Sequence, residues 1–337
     1  MCVFFATMRI DFHSHYLPPR FFDTMDSLDA RARVDSFAHY GAHLTAAARR
    51  QFAAGDAAFI ERWIGDMDSA GIDLTVMSVG AVQPYFPDAG SGITATRYAN
   101  EMMREAVTAG AGRLGAFGSL PLPHIAATLA EIDFCFDECG FRGVNLGPSV
   151  AGRPLDAPEF DDIWAALNER SATVFLHPGA TPQMAPGSAE FMLTPAFCGP
   201  TEMAVALCRL VAAKVPLRFP NVRVIGGITG GTIPYLFGRW DRGLRATDPE
   251  LHAELGGVLG QLRRFWYDTS LIEDPYLFGT MRDSLGLDRL VLGSDTPREP
   301  ATVAVDLVRN AEQLTAAEKT AILDINGAAA YGLTEGR

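Results

Sequence analysis

The sequence has few cysteines, fewer basic than acidic residues and no long hydrophobic run. Its cysteines are Cys2, Cys135, Cys139, Cys198 and Cys208. Five is an odd number and no CxxC pair is present, which argues against a disulfide framework and a zinc ribbon and favours a reducing compartment. The first residues contain about four consecutive strongly apolar positions, too few for a signal sequence or a membrane span. We therefore expect a cytoplasmic protein with no membrane partner.

The balance of charge is acidic. Lysine and arginine together number 28, aspartate and glutamate 40, so the formal net charge at pH 7 is −12. A chain this negative has no electrostatic reason to bind a phosphate backbone, and we expect no nucleic-acid partner. The 48% of hydrophobic residues and 20% of charged residues are typical of a globular protein that buries a large core.

Short β-rich runs alternate with segments of helical periodicity along the whole chain. Eight strands are predicted, at residues 9–15, 73–79, 114–120, 143–147, 172–177, 222–226, 264–269 and 289–295. Continuous apolar runs such as TVFL and RLVLG are typical of strands buried on both faces, as in a parallel sheet covered by helices. The alternation predicts an α/β fold, a (β/α)8 TIM barrel, with a doubly wound open sheet as the alternative.

Residues 1–337 are interpreted as a single domain, because no linker and no shift in composition divides them. The segment 16–55 between the first two strands carries Pro18 and Pro19 and is predicted to be a long, irregular inserted loop. In a barrel this loop would lie over the mouth of the site.

Two histidines lie at the end of the first predicted strand, in the run Asp11-Phe12-His13-Ser14-His15. Side chains two positions apart on a strand point to the same side, so both imidazoles and the Asp11 carboxylate are expected to face the barrel interior. Two neutral imidazoles on one rigid strand form half of a metal site. The alternative is a pair of histidines that bind no ligand.

Further candidate ligands end other strands. His177 ends the fifth predicted strand and Asp295 the eighth. Taken alone, His177 could be a hydrogen-bonded structural histidine, and Asp295 could form an Asx turn or a helix N-cap. Barrel enzymes place their chemistry at the carboxyl ends of the strands, so three strands ending in metal-type ligands together favour a metal site. Asp268, at the end of the seventh strand, is interpreted as a polar rim residue or a turn former.

Six motifs resemble the amidohydrolase superfamily, in the branch that contains aminocarboxymuconate semialdehyde decarboxylase and related aromatic acid decarboxylases. They are RIDFHSHYLP, IGDMDSAGIDLTVMS, LHP, GGTIPYLFGRWD, WYDTS and RLVLGSDTP. The resemblance implies an amidohydrolase-like barrel and one divalent metal ion, usually zinc with manganese as the alternative, held by residues matching His13, His15, His177 and Asp295. It implies that the ion polarises a substrate oxygen, and it implies a homodimer.

The sequence departs from this resemblance after the sixth strand. Members of the branch usually carry H-x-G-G there, whereas this chain has Ile228-Thr229-Gly230-Gly231. Ile228 can neither accept nor deliver a proton. Three hypotheses follow: Asp295 is the only general base, His39 or His43 from the segment 16–55 supplies the imidazole, or the protein binds a ligand without catalysis.

Substrate contacts are predicted from charge and shape. Arg49, Arg50 and Arg298 are candidates for gripping a carboxylate, because guanidinium forks match carboxylate geometry. Phe191 and Tyr85 are candidates for contact with a flat unsaturated substrate. The alternatives are solvated surface arginines and aromatic residues that only pack.

Together these features predict a metal-dependent decarboxylase that acts on a small aromatic or unsaturated carboxylic acid. Asp295 is the predicted catalytic residue, since a carboxylate beside a metal ion can move a proton. A metal-dependent hydrolase of a lactone, an amide or an activated carbon–carbon bond is one alternative. A catalytically altered homologue that binds metal and ligand is the other, because of Ile228.

Overall fold

The computed structural model describes residues 7–179, 187–188, 190–270 and 272–333. The strands are β1 (Ile10–His15), β2 (Leu74–Ser78), β3 (Leu114–Ala116), β4 (Gly143–Leu146), β5 (Ser149–Val150), β6 (Arg153–Pro154), β7 (Thr173–Leu176), β8 (Arg223–Gly226), β9 (Trp266–Asp268) and β10 (Leu290–Val291).

The helices in the described residues are α1 (Pro19–Ser27), α2 (Ala30–Arg33), α3 (Asp35–Gln51), α4 (Asp56–Ala70), α5 (Ala89–Ala109), α6 (Ile125–Asp133), α7 (Asp161–Glu169), α8 (Gly199–Ala212), α9 (Val215–Arg218), α10 (Ile233–Thr247), α11 (Pro249–Leu255), α12 (Val258–Leu262), α13 (Tyr276–Asp283), α14 (Ala301–Asn310), α15 (Ala316–Thr320) and α16 (Asn326–Ala330). Short 3-10 turns lie at Pro158–Phe160 and Ile228–Gly230, and π-helical turns at Phe134–Glu138, Thr194–Cys198 and Ala321–Ile325.

Eight parallel strands close into a barrel. One sheet has the order β1-β2-β3, and a second runs β4-β7-β8-β9-β10. A bridge between Gly118 and Val144 joins the two sheets. The first and last strands are joined by backbone hydrogen bonds, from the Phe12 N–H to the Leu292 carbonyl at 3.0 Å and from the His15 N–H to the Thr296 carbonyl at 2.8 Å. The predicted (β/α)8 barrel is confirmed, and the open sheet is excluded.

Each predicted strand contains an observed barrel strand, shorter at one or both ends. The eighth shows the largest difference, since only Leu290–Val291 is regular within the predicted 289–295. The antiparallel pair β5–β6 was not predicted. The carboxyl ends of the barrel strands therefore carry irregular backbone, and the candidate site residues lie there.

The barrel interior is filled with side chains rather than open. The Phe117 ring stacks 5.5 Å from the Phe175 ring and 6.4 Å from the Phe12 ring, measured between centroids. His13 contacts this layer edge to face, with its ring 5.1 Å from that of Phe175. The β1–β2 register shifts between Asp11 and Ser14, a bulge that re-aims the side chains of β1. The imidazoles thus lie on an apolar floor.

The inserted segment after β1 is helical, so the prediction of an irregular loop over residues 16–55 was wrong. Helices α1, α2 and α3 occupy most of it. Pro19 sits in the first turn of α1, where proline needs no hydrogen-bond donor and starts a helix instead of breaking it. In α3 the buried residues Phe37, Gly41, Thr45 and Ala48 recur at helical spacing, which fixes one face against the protein.

The cysteines of the described chain form no disulfide: Cys135, Cys139, Cys198 and Cys208 are free, while Cys2 lies outside the described residues. Across the described ranges, no helix combines the length and the apolar character that a bilayer crossing requires.

Candidate metal centre and active site

Three imidazoles converge at the carboxyl ends of two strands. His13 and His15 end β1, and His177 directly follows β7. One ring nitrogen of each lies within 4.8 Å of the others. The ring centroids are 4.8 Å apart for His13 and His177, 4.9 Å for His15 and His177, and 5.2 Å for His13 and His15. From the sequence, His13, His15 and His177 were predicted to belong to one metal site. The structure brings the three imidazoles together.

Asp295 completes the cluster from the opposite end of the chain. Its Oδ1 lies 3.1 Å from His15 Nε2 and 3.8 Å from His13 Nε2. The backbone of Asp295 is left-handed, with φ 62°, a conformation that costs free energy in a non-glycine residue. Its N–H donates to the His13 carbonyl at 2.7 Å, and its carbonyl accepts from the Arg298 N–H at 2.9 Å. These bonds hold the carboxylate against the imidazoles.

A second carboxylate orients His13. Asp268 is fully buried at the end of β9, and its Oδ2 accepts from His13 Nδ1 at 2.7 Å. Its Oδ1 accepts from the Ile228 N–H and from Ser270 Oγ, both at 2.8 Å. This arrangement keeps the proton on Nδ1 and leaves Nε2 of His13 free for a ligand. From the sequence, Asp268 was interpreted as a rim or turn residue. Its place at the end of a barrel strand was the one signal that could have identified it as part of the site.

The other histidines are oriented by nearby groups. His177 Nδ1 donates to the Pro178 carbonyl at 2.7 Å, which leaves Nε2 free. Ser78 Oγ lies 3.4 Å from His15 Nδ1. His13 and His177 therefore present Nε2 toward the cluster, because their Nδ1 atoms already make hydrogen bonds.

Asp11 does not join the cluster. Its carboxylate accepts from Ser294 Oγ at 2.6 Å, from the Ser294 N–H at 3.0 Å and from the His13 N–H at 3.2 Å. Burial raises its pKa to about 6, against the lowering effect of these hydrogen bonds. Asp11 therefore ties β1 to the segment that carries Asp295, and acts on the site through the backbone.

Burial and neighbouring charges shift the pKa of three residues of the cluster. Burial, with His13 and His15 nearby, holds the pKa of His177 well below its usual value. Burial alone would raise the pKa of Asp295, but the hydrogen bond from His15 and the charges of His13 and His177 hold it below its usual range. For His13, burial favours the neutral ring, but the charge and hydrogen bond of Asp268 and the charge of Asp295 outweigh it, so the pKa of His13 is raised. A carboxylate anion and a neutral imidazole are the forms that bind metal ions.

Close packing around the cluster depends on glycine at two positions. A Cβ at Gly293 would lie 2.9 Å from His13 Cβ and 3.0 Å from Asp268 Cβ. Gly80 has φ 61°, and a Cβ there would lie 2.6 Å from the His15 ring. Neither position accommodates a side chain without moving a histidine.

The cluster opens into a cavity of about 550 Å³. Its lining includes the four cluster residues, one face of α3, Val79 and Ala81 after β2, residues 177–179, Ile228 and Arg298. Arg298 Nη1 lies 3.5 Å from Asp295 Oδ2, so a guanidinium stands beside the cluster. The volume lies in the range of small-molecule sites.

Comparison with known proteins gives the family. The chain matches the amidohydrolase family over residues 10–333. It belongs to that family. Over 305 residues it is 25% identical to 2-amino-3-carboxymuconate-6-semialdehyde decarboxylase of Dictyostelium discoideum, covering 86% of this chain and 82% of that one. Over 301 residues it is 26% identical to 6-methylsalicylic acid decarboxylase of Penicillium expansum, covering 87% and 86%.

Solved structures share the fold. A 5-carboxyvanillate decarboxylase of Novosphingobium aromaticivorans, complexed with manganese and 4-hydroxy-3-methoxy-5-nitrobenzoic acid, superposes with a TM-score of 0.83, at 22% identity and 96% coverage of both chains. A 2,6-dihydroxybenzoate decarboxylase complexed with 2,6-dihydroxybenzoate gives 0.78, at 21% identity, covering 96% of this chain and 99% of that one.

In this amidohydrolase the Ile228 turn has an unusual backbone. Ile228 and Thr229 have φ of 51° and 52°, and Gly230 and Gly231 follow with φ of 74° and 67°. A left-handed conformation is rare for β-branched residues and marks strain. Ile228 lines the cavity and carries no titratable group.

Four predicted substrate contacts lie elsewhere. Arg49 and Arg50 are exposed on α3 and do not line the cavity; Arg49 Nη2 lies 3.6 Å from Asp23 Oδ1. The prediction failed because it treated this segment as a loop, whereas helical periodicity turns both arginines outward. Phe191 is 85% exposed and outside the lining. Tyr85 packs against the core and its hydroxyl accepts from the Gly147 N–H at 3.1 Å, a structural contact.

Proposed function

We propose that this amidohydrolase is a metal-dependent decarboxylase of a small aromatic or unsaturated carboxylic acid. The observation that carries the proposal is a cluster of three imidazoles and one carboxylate that opens into a cavity of about 550 Å³. Relatives that match most of the chain are named decarboxylases of such acids, which supports the same reaction class here.

The donor set fits a divalent cation. Nε2 of His13 and His177 are free, because their Nδ1 atoms are engaged by Asp268 and the Pro178 carbonyl. His15 Nε2 and Asp295 Oδ1 would supply the other donors. Three nitrogens and a carboxylate oxygen suit zinc and manganese. The manganese bound in a related structure supports manganese, and the sequence resemblance favours zinc. When bound, the cation supplies Lewis-acid polarisation of a substrate oxygen.

The chain's own residues would bind and orient the acid. Arg298 would hold a substrate carboxylate, since its guanidinium lines the cavity beside the cluster. Leu44, Val79 and Ile228 would receive the flat apolar part of the substrate and exclude water from it. Asp295 would accept or pass a proton next to the reacting group.

A hydrolase of a lactone, an amide or an activated carbon–carbon bond is the second candidate. The residue that favours it is Ile228, because hydrolysis with Asp295 as the base needs no imidazole at that position. Solvent-oxygen incorporation into a product would distinguish the two reactions.

The test of the proposal is release of labelled CO2. Protein loaded with zinc or manganese is incubated with hydroxybenzoates and aminomuconates that carry ¹³C in the carboxyl group. We expect ¹³CO2 from at least one acid, and none after chelation of the metal. No release from any acid by metal-loaded protein would overturn decarboxylation. Turnover of lactones or amides in ¹⁸O water, with label in the product, would establish the hydrolase instead.

We propose further that the chain acts as one domain, since β1 and β10 from opposite ends of the sequence close the same barrel. The homodimer and the cytoplasmic location stay predictions.

A further inference from the structure

Two histidines of α3 line the cavity without any assigned role. The chain has seven histidines. Five of them have a hydrogen-bonding partner: His13, His15, His124, His177 and His252. His39 and His43 line the cavity, and within the described ranges the side chain of neither makes a hydrogen bond. Their ring nitrogens are therefore available to a ligand.

The position of α3 fixes where these imidazoles lie. Tyr40, Leu44, Ala47 and Gln51 recur at helical spacing and form the cavity face of the helix, with the two histidines along its edge. Near the start of α3, Ser36 Oγ donates to the Gln83 carbonyl at 3.3 Å. At its end, Gln51 Nε2 donates to the Pro297 carbonyl, also at 3.3 Å. The helix is thus anchored at both ends.

Few other side chains of the cavity can carry a proton. Asp295 belongs to the cluster that would hold the cation, with its Oδ1 3.1 Å from His15 Nε2 and its Oδ2 3.5 Å from Arg298 Nη1. The Arg298 guanidinium does not deprotonate in proteins. Burial, reinforced by the nearby Glu202 carboxylate, raises the pKa of Tyr40 to about 12, so its phenol keeps its proton at neutral pH. Among the described lining residues outside the cluster, only His39 and His43 carry an imidazole, the side chain that enzymes use most often for proton transfer.

We propose that His39 is the general acid that protonates the substrate carbon at this site, an inference that rests on the proposed decarboxylase function. His39 is half-buried and its ring meets that of Tyr40 edge to face at 4.5 Å, whereas His43 is exposed. The more enclosed imidazole is the one that a substrate in the cavity covers.

The proton transfer is balanced. The bond between the substrate carbon and its carboxylate breaks, its electron pair stays on the carbon, and CO2 leaves. The N–H proton of the His39 imidazolium moves to that carbon. The neutral imidazole then takes a proton from solvent, which restores the starting state without any oxidant or reductant.

The first test compares variants of the metal-loaded protein in the CO2 assay. We expect His39→Gln to lower kcat by about 10²- to 10⁴-fold, the usual contribution of a general acid, with KM changed only a few-fold. His43→Gln should lower kcat less than about tenfold, because a residue at the mouth affects entry rather than proton transfer. Arg49→Gln, on the exposed side of the same helix, is the control and should leave kcat unchanged. A His39→Gln protein with the kcat of the original chain would overturn the proposal.

A second variant separates loss of the imidazole from damage to α3. Ile228 lines the same cavity in a left-handed turn that histidine tolerates better than isoleucine. Adding Ile228→His to His39→Gln should therefore recover at least about tenfold in kcat by supplying an imidazole from another wall.

A binding measurement tests His39 without turnover. In zinc-loaded, ¹⁵N-histidine-labelled protein, a nitrophenol analogue that cannot lose CO2 should shift the imidazole resonances of His39, assigned with His39→Gln. The resonances of His252 on α11, whose Nε2 bonds Asp241 on α10, should not move. Unmoved His39 resonances at saturating analogue would overturn the inference. If the original chain releases no CO2 from any acid, the proposed function fails, and this binding result still decides the place of His39 in the ligand site.

Discussion

At the scale of single residues, the cluster depends on hydrogen bonds that decide which nitrogen of each histidine is free. Asp268 holds the Nδ1 proton of His13, and the Pro178 carbonyl holds that of His177. Carboxylate partners of this kind fix the tautomer and raise the basicity of the ligand nitrogen. Asp268 is therefore as important to the cluster as a direct ligand.

Replacing Asp268 by asparagine tests this role. The amide would place an N–H₂ group against His13 Nδ1, so Nδ1 would have to accept and the proton would move to Nε2, the nitrogen meant for the metal. We expect the affinity for zinc to fall about 10- to 100-fold, measured by competition with a chelator of known affinity. Asp283→Asn, an exposed change on α13, is the control. Equal zinc affinity of Asp268→Asn and the original chain would contradict the role.

Gly293 gives a second prediction at this scale. An alanine Cβ there would meet His13 and Asp268 at about 3 Å. Overpacking of this kind costs about 1–3 kcal/mol in the free energy of unfolding, and displacement of His13 should weaken metal binding as well. Gly238→Ala on α10, with no atom within 4 Å of the added Cβ, should be neutral or stabilising. Urea unfolding of both variants measures the difference, and equal stability of the two would contradict the steric argument.

The four cluster residues could be predicted from the sequence because strand ends show as apolar runs that stop at a histidine or an aspartate. Asp268 could not be assigned its role, since the same position suits a turn. The arginines of α3 were misplaced because the segment 16–55 was treated as a loop over the site, whereas in the helix both side chains are exposed and lie outside the cavity lining.

At the scale of elements, the barrel strands were predicted and the inserted helices were not. A buried strand such as β7 is an unbroken apolar run, which no solvent-facing residue interrupts. Helix α3 carries its apolar residues at wider spacing among polar ones, and α1 begins at Pro19 directly after Pro18. The spacing of the apolar residues favours a helix and the prolines favour a loop. Packing against the rest of the protein decides between the two.

Helix α15 gives a prediction at this scale. It begins with a capping box, in which Thr315 Oγ1 accepts from the Glu318 N–H and the Glu318 carboxylate accepts from the Thr315 N–H at 2.7 Å. Arg282 also donates to this carboxylate, from Nε at 2.6 Å and Nη2 at 2.7 Å. The hydrogen bonds from Arg282, and then from Thr315, lower the pKa of Glu318 to about 2.

Because the pKa is lower in the folded state, the carboxylate stabilises the fold above its unfolded pKa, and this stabilisation is lost as the pH falls toward 2. Glu318→Gln should therefore cost about 1 kcal/mol at pH 7 and progressively less below about pH 4.5. Unfolding in urea at several pH values measures the difference. Glu312→Gln, at an exposed position nearby, is the control. A cost that is independent of pH would contradict the assignment.

At the scale of the whole molecule, the cluster exists only when the barrel is closed. His13 and His15 end β1, His177 follows β7 and Asp295 follows β10. The Asp295 N–H bonds the His13 carbonyl across the closure. The unfolded chain holds these groups far apart. Metal binding should therefore be coupled to folding of the entire barrel.

The coupling predicts a rise in the unfolding temperature on addition of zinc. A ligand at 100 times its Kd stabilises the folded state by about 2.7 kcal/mol. We expect a clear increase in Tm for the original chain and little or none for His177→Ala, followed by differential scanning calorimetry. An equal increase in both proteins would place the stabilising ion at another site.

The most direct test of the account is the metal content of the purified and reconstituted chain, measured by inductively coupled plasma mass spectrometry. We expect one zinc or manganese ion per chain, and marked loss of that ion in His13→Ala, His177→Ala and Asp295→Asn. A chain that takes up no divalent ion on reconstitution, or variants that keep a full equivalent, would contradict it.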